Sequence, residues 1–220
     1  MSLRLNLTSR AARAITPTST AFTRRSALPR LATTKPAQYR MTSVLSSAAN
    51  TAHSAFASLA SVAQTKPGDP VPNVEIKIDS PEGKLNFSEL AGKNVIITVP
   101  GAFSGTCSTQ IPSYIAQYDA FKAKGVDDIY VVAVNDIFVV NAWKDKLEGG
   151  KASGIKYAAD DSAKLAASLG LVLDAAPIFG GPRLKRGALI IEGGKVQHVA
   201  VQDSPGDITV SHADSVLKAL

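Results

Sequence analysis

The sequence predicts an α/β protein with a central mixed sheet flanked by helices, and three observations predict it. Apolar runs rich in β-branched residues, at 94–99 and 129–134, alternate with stripes of helical period. That strand–helix–strand–helix order calls for parallel crossovers. Near the C-terminus two more strand-like runs, 186–191 and 195–201, are joined by Glu192-Gly193-Gly194, a hairpin signal that makes the sheet mixed.

The elements follow in order. Lys66-Pro67-Gly68-Asp69-Pro70 is a breaker cluster that opens the domain. Residues 71–78 alternate as a strand, 80–84 turn, and 85–87 continue extended. Residues 88–91 make a short helical turn closed by Gly92. The run 94–99 is a buried strand ended by Pro100. Ile111, Tyr114, Ile115, Tyr118 and Phe121 then recur at i, i+3, i+4, i+7 and i+10, which predicts an amphipathic helix from near Cys107 to Gly125. The unbroken apolar run 129–134 predicts a central strand covered on both faces. Asp136 starts the next helix, with Phe138, Val139, Ala142 and Trp143 on one face and Gly149-Gly150 at its end. Residues 155–158 are a short strand, and 162–169 a helix closed by Gly170. After the hairpin a final helix opens at Ser211-His212-Ala213-Asp214, with Ser211 as N-cap and Asp214 at N3. No internal repeat is present.

At 220 residues the chain is long enough for one ordinary domain. Its charge is uneven. Residues 1–68 carry Arg4, Arg10, Arg13, Arg24, Arg25, Arg30, Lys35, Arg40 and Lys66 and no Asp or Glu; the whole chain is +6, so the remainder is 6 − 9 = −3. The basic excess belongs to the leader, which argues against a nucleic-acid footprint on the domain. An acid-free segment rich in Arg, Ser, Thr and Ala, with weakly amphipathic stretches, has the composition of a mitochondrial transit peptide. It lacks the apolar core of a secretory signal, and no apolar run reaches the ~18 residues that a membrane span needs. The expected layout is a transit peptide and leader over 1–64 and a folded domain over 65–220, with matrix localisation. Met41 offers an internal start for a shorter cytosolic form.

The only cysteine, Cys107, stands where a strand hands over to a helix. Helix-start N–H groups lack intrahelical partners and carry the positive end of the dipole, so they favour a thiolate there. A merely structural cysteine would not need its neighbours: Pro100 at the strand end, Gly101 and Gly105 for close backbone approach, and Ser104 with a hydroxyl three residues before the sulfur.

The stretch Pro100-Gly101-Ala102-Phe103-Ser104-Gly105-Thr106-Cys107 resembles the peroxiredoxin active site, and its Pro-Gly-Ala-Phe start is similar to the type-5 (type II) group. Further matches follow in order: Val134-Asn135-Asp136, Phe138, Trp143, Ile178-Phe179-Gly180 and Arg183-Leu184-Lys185-Arg186, so the resemblance runs from about residue 67 to the C-terminus. It implies a thioredoxin-like fold and a thiol peroxidase in which Cys107 attacks a peroxide O–O bond and becomes a sulfenic acid. It implies that Arg186 is the catalytic arginine, holding the thiolate and bonding the peroxide. Strand alternation would turn Arg186 inward and leave Lys185, like Arg183, at a solvated strand end. Ser104 and the N–H groups near Thr106 and Cys107 would bond the reacting oxygens, and Pro100 would shield the sulfur. No cofactor and no metal are expected, and the resemblance implies a homodimer, for which Phe103, Phe179 and Trp143 are the apolar candidates.

The departures from the pattern carry information too. Ser104 stands for the more usual threonine. Gln110 stands near a frequent histidine, in a segment that reads one residue shorter, and cannot titrate near neutral pH. No resolving cysteine exists, so an external thiol must reduce the sulfenic acid: glutathione with glutaredoxin, or thioredoxin. One cysteine also excludes a Cys-x-x-Cys oxidoreductase, and one Cys with three His argues against a structural zinc site. His53, His198 and His212 have no motif that would support a Cys–His hydrolase. The alternative on the same fold is a peroxide-sensing or chaperone-like binding protein, which would oxidise once without turning over.

Overall fold

The computed structural model describes residues 62–220. The leader and transit-peptide expectation therefore falls almost wholly outside the described residues.

Among the described residues nine strands and six α-helices follow in order: β1 (Glu75–Ile78), β2 (Lys84–Asn86), β3 (Lys93–Val99), α1 (Gly105–Ala116), α2 (Tyr118–Ala123), β4 (Val126–Ala133), α3 (Ile137–Glu148), β5 (Lys156–Ala159), α4 (Lys164–Ser168), β6 (Val172–Asp174), α5 (Ala176–Phe179), β7 (Pro182–Leu184), β8 (Gly187–Glu192), β9 (Lys195–Val201) and α6 (Ala213–Ala219). Seven strands form one sheet in the order β2-β1-β5-β4-β3-β8-β9. β3–β4 and β4–β5 pair in parallel, and the remaining pairs are antiparallel, so the sheet is mixed as expected. β6 and β7 form a separate antiparallel pair.

Strand alternation divides the core in two. Val95, Ile97 and Val99 pack with Ile129, Val131 and Ala133 against Cys107, Ile111 and Tyr114 of α1, Ile137, Val140 and Trp143 of α3, and Val216 of α6. Ile96, Tyr130, Val132 and Leu189 belong to the other core, with Phe87, Leu165, Leu169 and Leu184. β4 thus lies between two strands with apolar layers on both sides, which is what its unbroken apolar run requires.

Several elements differ from the sequence reading. Only Glu75–Ile78 of the 71–78 run pairs as a strand; upstream, Val71 N–H donates instead to Gly194 O at 2.9 Å, a strap across the hairpin. The helix expected to reach Gly125 stops at Ala116 and restarts at Tyr118, where Gln117 leaves helical geometry (φ −110°, ψ 14°) and its side chain donates to Asp214 at 2.7 Å. In α3 the buried stripe is Ile137, Val140 and Trp143, not Phe138 with Trp143. Five residues turn a helix by about 500°, so Phe138 falls on another face from Trp143 and is 69% exposed. Trp143 is fully buried and cannot line a dimer face. The helix expected over 162–169 shortens to Lys164–Ser168 because Ala163 takes a left-handed conformation (φ 55°) and Asp160 receives the first free N–H groups, from Leu165 and Ala166. β6, α5 and β7, too short to show periodicity, had no counterpart in the sequence reading. The last helix is capped by His212, one residue after the expected Ser211, which is buried instead. No helix among the described residues is long and apolar enough to cross a membrane.

Candidate active site

β3 delivers the chain to residues 100–104, and α1 begins at Gly105. Cys107 is the third residue of that helix and is fully buried. The first helical hydrogen bond runs from Ser108 N–H to Ser104 O at 2.9 Å, so the N–H groups of Gly105, Thr106 and Cys107 precede it and have no carbonyl of the helix to bind. Ser104 is the N-cap, and its hydroxyl makes no capping bond. Pro100 is buried at the end of β3.

The turn between strand and helix is held from outside. Ala102 N–H donates to Asn135 Oδ1 at 3.0 Å, reaching to the end of β4. Phe103 takes a left-handed backbone (φ 63°), a costly conformation for a bulky residue. Gly101 lies against the Phe179 ring, where a Cβ would come within 3.1 Å of Cε1. Phe179 is fixed in turn by Arg183, whose guanidinium lies 5.2 Å from the ring centroid and donates through Nη2 to Phe179 O at 3.0 Å and through Nη1 to Val134 O. Arg183 is therefore not the solvated charge expected of it; it clamps the turn's support.

Arg186 stands immediately before β8, the strand that pairs antiparallel with β3. Lys185 N–H donates to Leu171 O at 2.7 Å, and Thr98 Oγ1 donates to Lys185 O at 2.8 Å. Those bonds fix the backbone on either side of the strand entry, and the Arg186 side chain crosses toward α1. It is 2% exposed, the second largest fully buried side chain after Trp143. Nη2 donates to Cys107 Sγ at 3.4 Å, Nη1 to Gln110 Oε1 at 2.6 Å, and Nε to Pro205 O at 3.0 Å. Five guanidinium N–H groups against three bonds leave one donor on Nη1 and one on Nη2, the nitrogen that faces the sulfur. Among the described residues no carboxylate pairs with this arginine. Trp143 closes the other side, its Nε1 donating to Ser108 Oγ at 3.1 Å, next to the cysteine.

The Redoxin family matches residues 66–217. Peroxisomal membrane associated protein 20 of Schizosaccharomyces pombe is 41% identical over 153 residues, covering 70% of this chain and 97% of that protein. The chain belongs to the peroxiredoxins. Within them it is a type-5 peroxiredoxin with one cysteine, and a thiol-dependent peroxidase of the 1-Cys kind. Peroxiredoxin-2F, mitochondrial, of Arabidopsis thaliana is 42% identical over 128 residues, covering 57% of this peroxiredoxin and 63% of that one. The crystal structure of reduced Prx3 from Vibrio vulnificus in complex with hydrogen peroxide superposes with a TM-score of 0.65 at 39% identity, covering 71% of this chain and all of that one. The fold is thus thioredoxin-like.

Of the residues singled out in the sequence, the structure brings Cys107 and Arg186 into hydrogen-bond contact across 79 positions, with Ser104 and Pro100 in the same strand-to-helix passage. Sequence reasoning did not assign Gln110, Asn135 or Arg183 a place in this peroxiredoxin's site. Asn135 and Arg183 lay within blocks that match the family, which was the available signal. Gln110 carried only a negative one, an amide where a titrating group is usual.

Proposed function

We propose that this peroxidase reduces hydrogen peroxide and alkyl hydroperoxides through a sulfenic acid on Cys107, and that an external thiol returns it to the start. The observation that carries the reading is the Arg186 Nη2–Cys107 Sγ bond at 3.4 Å in the first turn of a helix. The Cys107 thiolate gives an electron pair to one peroxide oxygen. The O–O bond breaks, and the other oxygen leaves as hydroxide or alkoxide and takes up a proton. Sulfur is oxidised to sulfenic acid as peroxide is reduced to water or alcohol. The free Nη2 donor of Arg186, the N–H groups of Thr106 and Cys107 and the Ser104 hydroxyl stabilise charge spread over the two oxygens, and Pro100 keeps bulk water from the sulfur. Glutathione then displaces water from the sulfenic acid to give a mixed disulfide. Glutaredoxin with a second glutathione releases the thiol; thioredoxin is the second choice of reductant.

The arginine-rich, acid-free leader supports a mitochondrial site, as does the mitochondrial relative; the fission-yeast relative is named for the peroxisome. The test is turnover of hydrogen peroxide with glutathione–glutaredoxin against thioredoxin, in the natural chain and in Cys107→Ser. Glutathione-dependent turnover that the serine variant loses is expected. Turnover that persists in Cys107→Ser places the chemistry elsewhere, and one stoichiometric oxidation without turnover makes the chain a sensor.

A further inference from the structure

Three side chains behind Arg186 form a closed hydrogen-bonded ring that ends on the arginine's own backbone. Gln110 is fully buried, and its amide nitrogen donates both to Ser211 O at 3.0 Å and to Ser211 Oγ at 3.1 Å. With its nitrogen so committed, the Gln110 oxygen can only face Arg186 Nη1. Ser211, also fully buried, precedes α6, and its carbonyl further accepts Tyr114 Oη at 2.7 Å. Around Gln202 the N–H groups of Thr209, Val210 and Ser211 and the Ser211 hydroxyl converge on one side-chain atom at 2.7–3.1 Å. Four donors meeting one atom identify it as the amide oxygen. The Ser211 hydroxyl therefore donates to Gln202 and accepts from Gln110. The backbone N–H of Gln202 donates to Arg186 O at 2.9 Å, so the ring closes through the main chain.

We propose that Gln110 and Ser211 are positioning residues: the loop entering α6, through Ser211, aims the Gln110 carbonyl at Arg186 and so sets the guanidinium on Cys107 Sγ. The inference rests on the assignment of Cys107 and Arg186 above. An amide is the group suited to the place. It accepts from the guanidinium without neutralising it, so the arginine's full charge is left for the sulfur and the peroxide. A carboxylate at position 110 would share that charge and could not donate to Ser211. The C-terminal helix thus sets the activity of a cysteine more than a hundred residues away, without touching substrate.

The test is the second-order rate of Cys107 oxidation by hydrogen peroxide in the full chain, followed by mass under single turnover. The variants are Ser211→Ala, Ser211→Thr, Gln110→Met and Gln110→Glu, with Ser211→Ala and Gln110→Met repeated in an Arg186→Met background. Losing one buried bond of this kind should slow the reaction about five- to tenfold, and Gln110→Glu should be slower than Gln110→Met. Ser211→Thr keeps the hydroxyl and should recover most of the rate. In the Arg186→Met background the alanine and methionine substitutions should cost nothing further, because they act through the guanidinium. An equal loss with and without Arg186 makes Ser211 and Gln110 mere packing and overturns the inference. So does an unchanged rate in Ser211→Ala when Arg186→Met is slow. A natural rate in Arg186→Met overturns the underlying assignment and this inference with it. Should Ser211→Ala fail to fold, the pair Gln110→Met and Gln110→Glu in both backgrounds decides the question.

Discussion

At the scale of residues, the proposed site is one buried sulfur and one buried guanidinium, and the type of cation matters. Lysine keeps the charge at position 186 but not the planar fork that serves Cys107, Gln110 and Pro205 together. Arg186→Lys is expected to lower the peroxide rate on the order of 100-fold, the cost of removing a preorganised donor from developing charge. Far-ultraviolet circular dichroism should be unchanged; a natural rate would refute the assignment. Cys107 and its flanking Pro100 and Ser104 were legible because they lie in one short run, and Arg186 because a family pattern singles out the last arginine of its cluster. Gln110 was not legible as part of the site. What it does depends on Ser211, 101 positions away, and no local pattern carries that. Arg183 was misread for a related reason: its partners Val134 and Phe179 are carbonyls, which sequence does not mark.

At the scale of elements, the strands were the most legible, since runs of β-branched residues long enough to cross the sheet announce themselves. The ends of helices were the least. Gln117 breaks one helix into two with neither glycine nor proline at the break. The start of α4 shows how such an end is held. Asp160 is buried and accepts Leu165 N–H at 3.1 Å and Ala166 N–H at 2.8 Å. Burial pushes its carboxyl above the ordinary carboxylate value, and the backbone bonds only partly oppose this. The folded state therefore binds this proton more tightly than the unfolded chain. The contribution to stability is fully present below the unfolded value of about 4 and is lost as pH rises through the folded one. The difference in Tm between the natural chain and Asp160→Asn should accordingly shift against the natural chain as pH rises above ~4. A pH-independent difference would mean that Asp160 does not titrate on unfolding.

At the scale of the whole molecule, the residues left outside the two cores define the open questions. Phe103 is 47% exposed and Ile178 79% exposed, and the half-buried Phe179 lies against Gly101, two residues before Phe103. We propose that this apolar face joins two copies, as the family resemblance suggests. Sedimentation at micromolar concentration should give twice the chain mass of 22.9 kDa less any leader, and Phe103→Glu should give the monomer. A natural chain that sediments as a monomer refutes the proposal. Protein isolated from mitochondria should show by intact mass an N-terminus shortened within the first ~64 residues; full-length chain found only in cytosol would refute import. Thr65 marks the inner limit of trimming, because it is buried and its N–H donates to Leu169 O at 2.9 Å.

The bond from Trp143 to Ser108 has an optical consequence. The chain has a single tryptophan, and its indole N–H binds the residue directly after the redox-active one. Adding oxygen to Cys107 changes the polarity felt by the only strong fluorophore in the molecule. Emission excited near 295 nm should therefore change with the same rate constant as sulfenic acid formation and return when thiol is added. Emission that stays constant through a full redox cycle would mean that the indole does not sense the sulfur. Emission that follows the cycle gives the protein its own dye, so that each step can be timed without labelling the one thiol that performs it.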